Sequence, residues 1–173
     1  MPIYPYKDIM PQIAADTFIA PSADITGDIQ IGSNCSIWFN VAMRGDVNFI
    51  RIGNQVNIQD GSVVHVSRYK GGQTIIGNDI TIGHMALIHA CELQDGCFIG
   101  MKAMVMDRAV VEAGAMVAAG SLVPPDKVVK AGQLWMGSPA RYVRDLTDND
   151  RAEMLTNCQN YIDLAAQYLK END

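Results

Sequence analysis

The three histidines of this chain, His65, His84 and His89, all fall within one 25-residue window, inside stretches that otherwise read as buried strand. One histidine in an apolar run is more often a satisfied structural residue than a ligand. Three in one window, with none elsewhere in the chain, point to a metal. Three neutral imidazoles with an open fourth position form the ligand set of a catalytic zinc, which lowers the pKa of its water toward 7 and makes hydroxide available at neutral pH. Cys91, two residues after His89, is a candidate fourth ligand. Binding through it would close the site and make the metal structural, and a cysteine here is more readily read as simply buried.

The elements that position these residues follow from an internal repeat. From Ile19 an aliphatic side chain returns at every sixth position, at Ile25, Ile31, Ile37 and Met43, then at Ile52, Ile58 and Val64, at Ile76, Ile82 and Ile88, and from Leu93 through Ile99, Val105 and Val111 to Val117. Neither a 3.6-residue helix nor a plain period-two strand gives this spacing; six residues make one short strand and one corner. Asn34, Asn54, Asn78, Asp60-Gly61 and Asp95-Gly96 fall where corners need left-handed dihedrals. Three such faces close a triangular coil, so the expected fold is an all-β solenoid. It is a parallel β-helix of hexapeptide repeats, left-handed in this repeat class against the usual crossover rule.

Register then places the histidines. His65 follows Val64 and His89 follows Ile88, and these anchors lie one full coil apart once the 65–74 excursion "HVSRYKGGQT" is set aside. The two rings should share a column at about the 4.8 Å inter-strand rise. His84, two after Ile82, belongs at a corner on the preceding face, away from that pair. Packing of solenoids around a three-fold axis would bring the corner of one subunit to the face of the next, and so His84 to a neighbour's His65 and His89.

The repeat breaks at "MRGDVNFIR" (43–51), at the 65–74 excursion and in the shortened hexad from Ile88, and departures from a solenoid are where binding residues are usually placed. The pattern is read as stopping after Val123 at "PPDK". Thr147, Asp148 and Asp150 announce a helix whose apolar stripe runs Leu155, Cys158, Ile162, Ala165, Leu169. The expected organisation is a lead-in over 1–18, the β-helix with its metal site over 19–123, a connection over 124–146, and a helix over 147–171 packed on the solenoid.

Composition narrows the function. A net charge of -6 and a pI near 4.9 argue against nucleic acid and anionic membranes as partners. Nowhere do eighteen apolar residues run together, and "MPIYPYKDIMPQI" lacks the basic and apolar regions of a secretory signal, so a cytoplasmic location is expected. Four cysteines without CxxC spacing read as free thiols.

The chain resembles the gamma-class carbonic anhydrases of the hexapeptide-repeat superfamily along nearly its whole length. The resemblance lies in "RGD" (44–46), "NIQDGSVVH" (57–65), "IGHMALIHAC" (82–91), "IGMKA" (99–103), "GSLV" (120–123) and "GSPAR" (137–141), with the spacing of the three histidines and Gln59 six residues before the first. It implies a homotrimer with zinc, or iron or cobalt, at each interface, held by His65 and His89 of one chain and His84 of another. It further implies that Gln59 bonds the metal's water and places CO2, that Asn57 and Asp60 organise its surroundings, that Arg44 and Asp46 form an intersubunit pair, and that Tyr161 stands near the metal. The chain departs from the family's best-known active pattern at Val47, where a proton-transferring glutamate would stand, and in the basic loop "VSRYKGG".

The leading expectation is reversible hydration of CO2 to bicarbonate, with zinc hydroxide as nucleophile. The alternatives are a metal-dependent acyl-CoA thioesterase, for which Arg68 and Lys70 are the only suggestive cations, and a non-catalytic trimer stapled by its metal. Acyl transfer, which hexapeptide-repeat enzymes commonly perform, ranks behind these because it needs no three-histidine set.

Overall fold

The structure, a computed structural model, describes residues 3–171. The chain winds into a left-handed parallel β-helix of about seven turns, followed by one helix. Each turn carries three short strands, one per face. The first face stacks Phe18–Ile19, Ser36–Ile37, Asn57–Ile58, Thr81–Ile82, Phe98–Ile99 and Met116–Val117 in parallel register. The second holds Val63–His65, Leu87–His89, Met104–Val105 and Leu122–Val123; the third holds Thr74–Ile76, Glu92–Leu93, Val110–Val111 and Val128–Val129. The long strands Asp24–Ile31 and Ala42–Ile52 turn the corner between these two faces, with a register shift after Gly27 that absorbs the extra residues of the 43–51 break.

One aliphatic side chain per hexad points inward, and the columns Ile25, Ile37, Ile58, Ile82, Ile88 and Val105 are fully buried in one continuous core. This stacking holds the coil together: each turn buries its apolar side chains on the turn below while the backbone ladder satisfies the peptide groups. At one corner the left-handed residues are Asn34, Gln55 and Asp79, one position later than expected for two turns. Asn54 and Asn78 are used differently. The Ser33 amide donates to Asn54 Oδ1 at 2.8 Å, the Asn54 amide to Asn78 Oδ1 at 2.9 Å, and the Asn78 amide to Asp95 Oδ1 at 2.7 Å, so these side chains form a ladder up the edge.

The coil extends beyond the expected 19–123. Ile3–Tyr4 and Gln12–Ile13 pair with the strand Asp24–Ile31, and Val128–Val129 and Leu134–Trp135 continue the stack above Val110–Val111 and Met116–Val117. "PPDK" is a corner, with Asp126 in the left-handed region, and the six-residue period runs on through Val123, Val129 and Trp135. The antiparallel hairpin of Gln133–Gly137 with Ala140–Asp145 closes this end.

The helix Asp148–Glu171 lies along the first face. Thr147 and Asp150 cap it reciprocally: the Asp150 amide donates to Thr147 Oγ1 at 3.2 Å and the Thr147 amide to Asp150 Oδ2 at 2.7 Å. Its buried face comprises Met154, Cys158 and Ala165, with Tyr161 and Tyr168 packed edge-on against Trp38. Of the expected stripe, Cys158, Ala165 and Leu169 face the coil, while Leu155 is 67% exposed and the aromatics Tyr161 and Tyr168 add to the contact.

Candidate metal centre

His65 and His89 are direct cross-strand partners on adjacent turns of the second face. Parallel pairing puts their rings 5.2 Å apart, with His65 Nδ1 facing His89 Nε2 at 3.2 Å. The outer nitrogen of each ring meets a carboxylate. His65 Nε2 lies 3.2 Å from Asp46 Oδ1 and His89 Nδ1 lies 2.7 Å from Asp107 Oδ1. Asp46 is in turn gripped by Arg44, which occupies the same column one turn before His65, and by the Val47 amide at 2.8 Å. Burial alone would raise the Asp46 pKa, but bonds from Arg44 and His65 outweigh it and hold the carboxyl below its ordinary range. Burial, reinforced by the Arg44 charge, keeps the His65 pKa below its usual value despite Asp46, which favours the neutral, ligating ring.

The chemistry of this donor set fits a metal. With each outer N–H turned to an aspartate, both inner nitrogens would offer lone pairs 3.2 Å apart, an arrangement that a cation between them would satisfy. Two imidazoles do not complete a site. Among the described residues no group of three or more His, Cys, Asp or Glu side chains within the chain could hold a metal.

His84 stands apart from the pair, at the corner between the first and second faces, just before Met85 in the left-handed region. Register places Asp60 one turn before it, and His84 Nδ1 lies 2.8 Å from Asp60 Oδ2. This third ring is thus also braced by a carboxylate, with its other nitrogen left for a ligand. Beside it, Gln59 and Asn57 are buried, and Gln59 Nε2 donates to Asn57 Oδ1 at 3.0 Å. Tyr161 packs 5.5 Å from Trp38 between helix and coil, where burial and the nearby Asp60 raise its pKa. The chain therefore carries two polar clusters at opposite ends of the second face. His65, His89, Arg44, Asp46 and Asp107 form one, and His84, Asp60, Gln59, Asn57 and Tyr161 gather at the other.

Cys91 is buried in the core, where burial raises its thiol pKa, so it is a packing residue in this fold. Arg44 and Asp46 pair within the chain. A groove of about 270 Å³ opens beside the histidine pair, lined by Ala42, Val63, Leu87 and Arg44, without Arg68 or Lys70. Asp107 was not singled out from the sequence. Its signal is there in hindsight: it lies at the same corner one turn on, two residues after Val105 as Ala90 is two after Ile88.

No family model matches the chain. It is 45% identical over 166 residues to a carbonic anhydrase of Geobacillus kaustophilus, covering 96% of this chain and 90% of that protein. It is 44% identical over 169 residues to the mitochondrial gamma carbonic anhydrase 2 of Arabidopsis thaliana, covering 95% of this chain but spanning only 61% of that protein's length. A solved hexapeptide transferase family protein from Anaplasma phagocytophilum superposes with a TM-score of 0.92 at 44% identity, over 96% of this chain and 98% of that one. With carboxylate-braced histidines on a hexapeptide coil, and near-full-length identity of this order, the chain belongs to the gamma carbonic anhydrase family.

Proposed function

We propose that this protein hydrates CO2 reversibly to bicarbonate at a zinc centre shared between subunits of a homotrimer, with His65 and His89 from one subunit and His84 of the partner subunit as ligands. The observation that carries this reading is the pair of facing ring nitrogens at 3.2 Å, each ring held by an aspartate, with a third braced histidine at the opposite end of the same face. The family name of the relatives supports the reaction, and the three-nitrogen donor set suits zinc, with iron or cobalt able to take the same ligands.

When bound, zinc would supply a Lewis acid that makes hydroxide available near neutral pH. The chain's own residues do the rest. Asp46, Asp107 and Asp60 fix the tautomer and aim of each ring. Gln59, held by Asn57, orients an amide toward the reacting water and CO2. With Val47 where a carboxylate could stand, the released proton passes to buffer. The groove holds one cation, Arg44, already committed to Asp46, which weighs against a coenzyme A thioester as substrate. All four cysteines are unpaired and buried, which suits a reducing compartment such as the cytoplasm. No described helix is long and apolar enough to cross a membrane.

The test is stopped-flow CO2 hydration by the zinc-loaded protein and by two variants. His65→Ala and His84→Ala should each be inactive as homotrimers. Co-refolded in equal amounts they should regain about a quarter of the sites, because one chain supplies what the other lacks. If mixing restores nothing, the site is not shared between subunits; a metal-replete wild type without turnover leaves a metal-stapled binding trimer.

A further inference from the structure

Three polar side chains, Asn57, Thr81 and Gln59, are buried to 2%, 2% and 3% exposure on and beside the face that the C-terminal helix covers. Such groups are costly unless satisfied, and here they satisfy one another in a single direction. Gln59 Nε2 donates to Asn57 Oδ1 at 3.0 Å, Asn57 Nδ2 donates to Thr81 Oγ1 at 2.8 Å, and the Thr81 hydroxyl donates to Oδ1 of Asn157 on the helix at 3.3 Å. Asn57 and Thr81 are cross-strand partners, so the first face itself sets their spacing.

Each link agrees in sense with the next, and the Ile80 carbonyl, which accepts from Asn57 Nδ2 at 3.5 Å, favours the same orientation of Asn57. A carboxamide offers a donor on one side and an acceptor on the other, and a hydroxyl has a single proton to give. Because Asn157 presents an oxygen, Thr81 gives its proton outward and offers lone pairs to the Asn57 amide nitrogen. Asn57 then has only its oxygen to turn toward Gln59, so Gln59 points its nitrogen inward and its Oε1 away from Asn57. We propose that Asn157 is a positioning residue for the reaction: the C-terminal helix dictates, through Thr81 and Asn57, which way round the Gln59 amide faces the reacting groups. The helix is thereby part of the active site's polarity as well as a cover for the first face. This inference rests on the reading of the site given above.

The test uses full-length, zinc-loaded protein with two readouts, the side-chain amide resonance of Gln59 in isotope-labelled protein and the kinetics of CO2 hydration. Asn157→Leu removes the terminal acceptor, Thr81→Val breaks the middle of the chain without changing its shape, and Asn157→Asp keeps an oxygen facing Thr81. The first two should each displace or broaden the Gln59 signal and lower kcat on the order of tenfold, with KM and zinc content unchanged. Their double variant should lose no more than the worse of the two, and Asn157→Asp should match wild type in both readouts. The proposal falls if Asn157→Leu leaves the Gln59 signal where it was, or if Asn157→Asp is as impaired as Asn157→Leu. Should the wild type fail to hydrate CO2, the resonance alone decides, and a signal displaced by Asn157→Leu and kept by Asn157→Asp upholds the relay while the assigned reaction falls.

Discussion

At the histidine pair the carboxylates do as much as the rings. Asp107, 2.7 Å from His89, fixes the tautomer that leaves His89 Nε2 free, so Asp107→Asn should weaken zinc binding by roughly 10- to 100-fold in competition with a chelator, with the fold intact. The proton balance is also decided by single residues. Of the two carboxylates beside the pair, Asp107 is engaged by His89, and Arg44 and His65 hold the Asp46 pKa below the ordinary range against burial, so at neutral pH Asp46 is a poor proton acceptor. Hydration should therefore rise with buffer concentration at fixed pH until another step limits. Val47→Glu, at a position 36% exposed, should raise the rate at low buffer about tenfold and flatten that dependence. The pairing of His65 with His89 was legible in the sequence because their spacing follows the coil, whereas Gln59 entered only through the family resemblance. Asp107 was not legible, because a lone aspartate at a corner looks like any of the turn residues that the repeat requires.

The single turn of coil is the next unit, and its stability sits in the inward columns. Ile82 is fully buried between Ile58 and Ile99, so Ile82→Ala should cost about 2–5 kcal/mol in denaturant unfolding. The same truncation at Leu155, which is 67% exposed, should cost little. The helix start gives a pH signature. Hydrogen bonds from Arg144 and Thr147 hold the Asp150 pKa below its unfolded value. A depressed carboxyl contributes stability that is present above the unfolded pKa near 4 and lost as pH falls through the folded one. Acid unfolding should thus begin with loss of helical signal at this end, and Asp150→Asn should remove that early phase. The hexad period made the coil readable, and its breaks marked the site. The ends were misread because Pro124-Pro125 looks like a stop when the period in fact runs on through Val129 and Trp135. The helix stripe was read correctly at Cys158, Ala165 and Leu169 but not at Leu155, because only contact with Trp38 brings Tyr161 and Tyr168 into it.

Across the whole molecule the three faces are not equivalent. The helix covers the first, and an ion pair between Arg51 and Asp28 lies beside the third. The second presents Ala42, Val63 and Leu87 outward, with Val63 40% exposed, and Met85 and Met101 stand at 59% and 55% on its edge. A contiguous apolar strip flanked by the two histidine clusters is what the proposed cyclic assembly would cover, and covering it would bring each cluster to a neighbour's. The proposed trimer then has two sources of cohesion, apolar burial and shared metal, and they can be separated. A metal bound only by the assembled state adds stability that grows with free metal and vanishes on chelation, whereas the apolar strip is present regardless. If the face holds the subunits together, stripping zinc should abolish turnover yet leave a trimer by light scattering. Val63→Arg, which sets a charge in the middle of the strip without touching a ligand, should give monomers that have lost turnover even in excess zinc, because each keeps two histidines and lacks the third. Dissociation on chelation alone would mean that the metal is the fastener, and would shift the weight from the lyase to the stapled binding trimer.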